Sequence, residues 1–130
     1  MTRTLKWLAA LGLAALSAAP AFAASATPTG TWAVTTGEAH YKVTACGDGG
    51  NLLCAKLVWL RDDKRTDENL AVLNTYVVRG AQRADSNSWS GNVTFDGHSY
   101  EGTMTMVSKN YMTLKGCSGI LCQTYELTRI

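Results

Sequence analysis

Residues 89–107 read Trp-Ser-Gly-Asn-Val-Thr-Phe-Asp-Gly-His-Ser-Tyr-Glu-Gly-Thr-Met-Thr-Met-Val, and this stretch decides the fold. Apolar and polar residues alternate on both sides of Asp96-Gly97, a dipeptide that suits a two-residue hairpin turn because both positions must take positive φ. Reading the turn literally pairs Phe95 with His98, Val93 with Tyr100, Gly91 with Gly102 and Trp89 with Met104. One face then carries Trp89, Val93, Phe95, Tyr100, Met104 and Met106, and the other carries Ser90, Asn92, Thr94, Ser99, Glu101, Thr103 and Thr105. That separation means one side faces a core and the other faces water. The facing glycines remove side chains at one point of the buried face, which lets the sheet bend there.

Working outward, a three-residue loop Ser108-Lys109-Asn110 keeps Met106 opposite Met112 and Met104 opposite Leu114, with Asn110 as the residue suited to positive φ. An even loop would turn Met112 to the wrong face. The last segment alternates again, with Leu121, Gln123, Tyr125, Leu127 and Arg129 on one side. Strand-like runs recur at about 30–36, 39–46, 52–60, 72–79, 88–95, 98–107, 111–117 and 121–129, and no segment has a convincing helical period. The charged stretch from Arg61 to Leu70 reads as a long exposed loop with room for a helical turn. About eight antiparallel strands joined mostly by hairpins curl and close to remove their edges, so the expected fold is all-β, a single up-and-down barrel.

The N-terminal segment reads as a secretory signal. Arg3 and Lys6 precede an apolar run from Trp7 to Ala19, Pro20 breaks it, and Ala21-Phe22-Ala23 is a cleavage pattern that places the mature start near Ala24. The apolar run is too short for a stable membrane anchor. Residues 1–23 are thus expected to be a signal peptide, 24–29 a disordered leader and 30–130 the barrel domain. Loss of Arg3 and Lys6 from 12 basic residues leaves 10 against 10 acidic ones, so no basic stripe remains for nucleic acid. Cys46, Cys54, Cys117 and Cys122 all lie in the exported part. Four cysteines allow three pairings, and Cys46–Cys54 with Cys117–Cys122 is the expected one because each closes a short loop between strands. Zinc is disfavoured by the absence of C-x-x-C pairs.

A set of landmarks runs in order along the chain: Gly30-x-Trp32, Cys46-Gly47-Asp48, Leu53-Cys54, Leu57-Val58-Trp59, Trp89-x-Gly91, Asp96-Gly97-x-x-Tyr100, Gly116-Cys117, Cys122 and Arg129. This set resembles the domain-of-unknown-function 2147 family of small exported bacterial proteins. The resemblance implies a lipocalin-like, calycin-type barrel in the Gram-negative envelope, with no biochemical activity to carry over. In such barrels a Gly-x-Trp on the first strand meets an arginine on the last, so Trp32 and Arg129 are expected to form a structural cation–π contact at the closing seam.

Catalytic material is sparse. His40 and His98 have no serine elbow or phosphate loop near them, and Asp62-Asp63 and Asp67-Glu68 sit in a solvated stretch where nothing tunes them. The chain is therefore expected not to be an enzyme and to carry no cofactor. Met104, Met106 and Met112 bring three thioethers to one face, a set that suits cuprous copper, but methionine more often fills apolar gaps. No metal is expected. Tyr41, Trp59, Trp89, Tyr100, Met104, Met106 and Met112 are the candidate lining of a ligand pocket, because an eight-stranded barrel is either just filled or holds one small ligand. Two functions follow: a periplasmic or secreted carrier of a small apolar or amphipathic molecule, or a filled barrel that binds an envelope protein through its charged loop.

Overall fold

The computed structural model describes residues 27–95 and 98–130. Eight strands, β1 (Gly30–Val34), β2 (Ala39–Cys46), β3 (Leu52–Leu60), β4 (Tyr76–Asp85), β5 (Ser88–Phe95), β6 (His98–Ser108), β7 (Tyr111–Ser118) and β8 (Leu121–Arg129), form a closed antiparallel barrel in sequence order. β1 pairs with β8, so the described strands leave no sheet edge free. One short helix, α1 (Asp67–Val72), lies between β3 and β4. Thr66 caps it by accepting from the Asn69 amide at 3.2 Å, and Asp67 and Glu68 complement the positive end of its dipole.

The hairpin register follows the alternation residue by residue: Phe95 opposite His98, Val93 opposite Tyr100, Gly91 opposite Gly102 and Trp89 opposite Met104. Asp96, Gly97 and the expected inward place of the Phe95 side chain lie outside the described residues, as do the expected signal segment 1–23 and residues 24–26. Met106 opposes Met112 and Met104 opposes Leu114, also as expected. The odd residue is taken up differently, because Ser108 pairs with Tyr111 and the register shifts between Met106 and Ser108. Val107 is thus a bulge followed by a two-residue turn at Lys109 and Asn110. The expected positive φ of Asn110 is corrected accordingly; Asn74 (φ 66°) is the only non-glycine residue with positive φ among those described.

The fourth strand is a second correction, running over Tyr76–Asp85 rather than 72–79. Val72 and Leu73 are apolar because the end of α1 folds back onto the core, where both pack. Their hydrophobicity reports a lid contact and not a strand.

Topology gives the two barrel ends different characters. The turns at 47–51, 86–87 and 109–110 lie at one end with the chain terminus, and the segments 35–38, 61–75 and 119–120 lie at the other. At the first end Trp32 is fully buried and its indole donates to the Pro28 carbonyl at 2.9 Å. The Arg129 guanidinium lies 4.4 Å over that ring and donates to the carbonyls of Thr27 (2.6 Å), Thr29 (2.7 Å) and Lys109 (3.1 Å). Gly30 makes room for it: φ is 140°, and a Cβ there would stand 2.6 Å from an Arg129 nitrogen. Thr27 to Thr29, expected in a disordered leader, are therefore tied into the seam. A second stack, Arg83 over Trp89 at 4.7 Å, covers the same end, with Arg83 donating to Ser86 at 2.9 Å. This end is closed.

Both expected disulfides are present, Cys46–Cys54 and Cys117–Cys122. The first joins β2 to β3 near the closed end, and the second joins directly opposed residues of β7 and β8 near the other. A short turn at Asp48–Gly50, with positive φ at Gly49 and Gly50, carries the chain from Cys46 back towards Cys54.

Candidate functional site

The open end holds a cavity of about 540 Å³. Its position follows from how the barrel is filled. Trp89, Met104, Met106 and Met112 all point inward and are buried, but they pack beneath the cavity with Trp32 and do not line it. Of the seven residues expected to line a pocket, the cavity wall includes Tyr41 and Tyr100. Trp59 is the clearest misplacement, because it is 38% exposed on the outer surface. His40 pairs with Trp59 while Tyr41 pairs with Leu57, so Val58 is an extra residue. That bulge turns Trp59 outward, where it stacks on His40 at 4.2 Å, and turns Leu60 inward.

A row of glycines makes the space. Gly91, Gly102 and Gly116 oppose one another across β5, β6 and β7 on the inner face. The first two are closely covered, since a Cβ on Gly91 would stand 2.8 Å from the Ala81 backbone and one on Gly102 would overlap Val93. Gly116 has nothing within 4 Å of that position and lines the cavity. A side chain at 116 would project into the empty volume.

The lining is divided. Leu57 and Leu60 of β3, Val72 of α1, Val93 of β5 and Leu114 of β7 make one side apolar. Glu38 before β2, Tyr41 on β2, and Gln123 and Tyr125 on β8 bring polar groups to the other, among Val34, Ala39, Leu121 and Leu127, and β1 alone separates β2 from β8. Tyr125 donates to the Gln123 side-chain oxygen at 2.9 Å. Among the described residues the Tyr41 hydroxyl has no hydrogen-bond partner. Burial first, then the nearby Tyr125 and Glu38, push its pKa up to about 12. Ile120 and Leu121, 97% and 76% exposed, stand at the β7–β8 turn on the rim.

The unfolded chain ionises this phenol near 10 and the barrel near 12, so above pH 10 the unfolded state has lost more protons and stability falls as pH rises between those values. A tyrosinate absorbance titration of the native protein should show a component at about 12 that Tyr41→Phe removes. Its persistence in the variant would assign the shift to another phenol.

The charged segment behind the rim is engaged with itself and its neighbours. Arg61 donates to the Asp63 carboxylate through Nε and Nη2 (2.5 and 3.0 Å) and through Nη1 to the Thr36 carbonyl at 3.0 Å, which ties the 61–75 segment to the β1–β2 turn. That contact holds the Asp63 carboxyl below the usual carboxylate range. Lys64 faces Glu38 at 3.9 Å across the mouth. No group of three or more His, Cys, Asp or Glu suited to a metal occurs among the described residues.

The family model described as "Uncharacterized protein conserved in bacteria (DUF2147)" matches residues 30–129, the whole barrel from Gly30 to Arg129. The chain belongs to that family. No curated protein and no solved structure matches it. Two disulfides in a DUF2147 protein of bacterial type point to an oxidising location outside the cytoplasm. Family membership brings no activity with it, so the cavity has to be read from its own chemistry.

Glu38, Lys64, Gly116, Gln123 and Tyr125 are among the cavity residues that the alternation pattern did not single out. A signal was available for two of them, because the alternation of the last strand already set Gln123 and Tyr125 on the side of Leu127. The directly opposed Cys117 and Cys122 then put that side indoors, with the disulfide on the outer face.

Proposed function

We propose that this domain binds a small apolar or amphipathic molecule in the cavity at the open end of its barrel, acting in the periplasm after signal cleavage near Ala23. The observation that carries the reading is the unequal filling of the barrel. One end is packed with tryptophan, methionine and two arginine stacks, and the other keeps a volume inside the range of about 300–1,000 Å³ usual for ligand sites. A barrel built only for rigidity has no need of Gly116, where a side chain would fit without strain. The reading includes no enzyme activity, cofactor, nucleic acid or membrane anchor.

Native mass spectrometry of the protein purified from its own envelope, before and after organic extraction, tests it. The expected result is an extractable mass on the wild type that is absent from Gly116→Phe, a variant that fills the cavity while leaving the closed end untouched. An unladen wild type that also takes up no amphiphile on reconstitution would overturn the reading. A second reading, a barrel that docks an envelope protein, has one observation in its favour, the exposure of Ile120 and Leu121 at the rim. The Arg61 to Glu68 stretch adds less to it, because Arg61, Lys64 and Arg65 each face a carboxylate of this chain.

A further inference from the structure

The division of the cavity wall says which part of an amphiphile it would accept. We infer that the ligand is a neutral amphiphile, whose apolar chain lies against Leu57, Leu60 and Leu114 and whose uncharged oxygen accepts a hydrogen bond from Tyr41. The inference rests on the cavity being a ligand site.

Three observations combine. First, the Tyr41 hydroxyl lines the cavity with no protein partner among the described residues, so its donor is free for an acceptor that enters the cavity. The phenol stays protonated throughout the physiological range, which keeps it a donor. Second, the Gln123 side-chain oxygen is already taken by Tyr125, which leaves the Gln123 amide nitrogen as a further donor on the same wall. Third, the charges do not suit an anion. Among the described lining residues Lys64 is the only cation, and it faces Glu38 at 3.9 Å. A carboxylate brought to this wall would meet the Glu38 carboxylate without a cation of its own, and burying an unpaired charge costs far more than burying a hydrogen-bonded ester, amide or alcohol.

The test compares a monoacylglycerol with the fatty acid of the same acyl chain, at neutral pH, by titration under native mass spectrometry. Wild type should bind the monoacylglycerol more tightly. Tyr41→Phe should weaken that binding by about 3–10-fold, as loss of one net hydrogen bond predicts, while apo melting temperature stays level or rises because no protein partner loses a bond. Glu38→Gln should narrow the gap by improving the fatty acid. Equal or tighter binding of the fatty acid by wild type, or Tyr41→Phe binding both ligands as wild type does, would overturn the inference and leave the cavity reading standing. Failure of wild type to bind either ligand would overturn both.

Discussion

Trp32→Ala should lower the melting temperature by roughly 15–30 °C, the consequence of about 3–5 kcal/mol lost from a domain of this size. Trp32 holds the closed end together: it is fully buried on β1, donates to Pro28, and supports the Arg129 guanidinium that gathers Thr27, Thr29 and Lys109. Removing the indole leaves a cavity at the closed end and strands an arginine over it. Arg129→Lys separates the two contributions, since an ammonium keeps the charge but cannot bind three carbonyls from one planar fork. It should cost less, about 1–3 kcal/mol, and thermal unfolding followed by far-ultraviolet circular dichroism measures both. A Trp32→Ala shift below about 5 °C would mean that the β1–β8 seam is held by its backbone pairing alone.

The seam also explains why the cavity lies where it does. Two tryptophans and two arginines close one end, and the methionines Met104, Met106 and Met112 fill the space next to them. At the other end the wall combines Leu57, Leu60 and Leu114 with tyrosines and a glutamine that carry hydrogen-bonding groups, and Gly116 leaves volume between them.

Strand pairing was legible wherever alternation was strict. Trp89 opposite Met104 and Met106 opposite Met112 follow from a period of two, because one slipped residue would expose the whole apolar face. The misreadings fall where that period is interrupted. The bulge at Val58 reverses Trp59, and nothing in Leu57-Val58-Trp59-Leu60, four apolar residues in succession, marks which one is extra. Tyr76–Asp85 carries Arg79, Gln82, Arg83 and Asp85, so its second half lacks an apolar face and reads as loop, while Val72 and Leu73 mimic a strand start from the end of a helix. Only two of the seven residues expected to line a pocket reach the cavity wall, for a related reason. Inward direction was visible, and so Tyr41 and Tyr100 were found, but depth along the barrel depends on which end the arginine stacks close, a matter of tertiary contact.

Reduction of both disulfides should lower stability by about 4 kcal/mol, a fall of roughly 20 °C in melting temperature, since each closes a short loop worth about 2 kcal/mol of chain entropy. The separations of 8 and 5 residues are too small for a larger effect. The two bonds are not equivalent in what else they hold. Cys46–Cys54 staples β2 to β3 beside the turn at Asp48–Gly50, near the closed end, and takes no part in the cavity. Cys117–Cys122 sits on the outer face of the hairpin whose inner face carries Gly116, Ser118, Leu121 and Gln123 of the cavity wall. The double variants Cys46→Ser with Cys54→Ser and Cys117→Ser with Cys122→Ser should therefore lose similar stability by denaturant unfolding but differ in ligand retention. Only the second should release a bound amphiphile faster, because opening the β7–β8 end widens the mouth and loosens Gln123 beside Tyr125. Equal retention in the two variants would show that the hairpin keeps its shape through backbone pairing alone, and would confine the role of Cys117–Cys122 to stability.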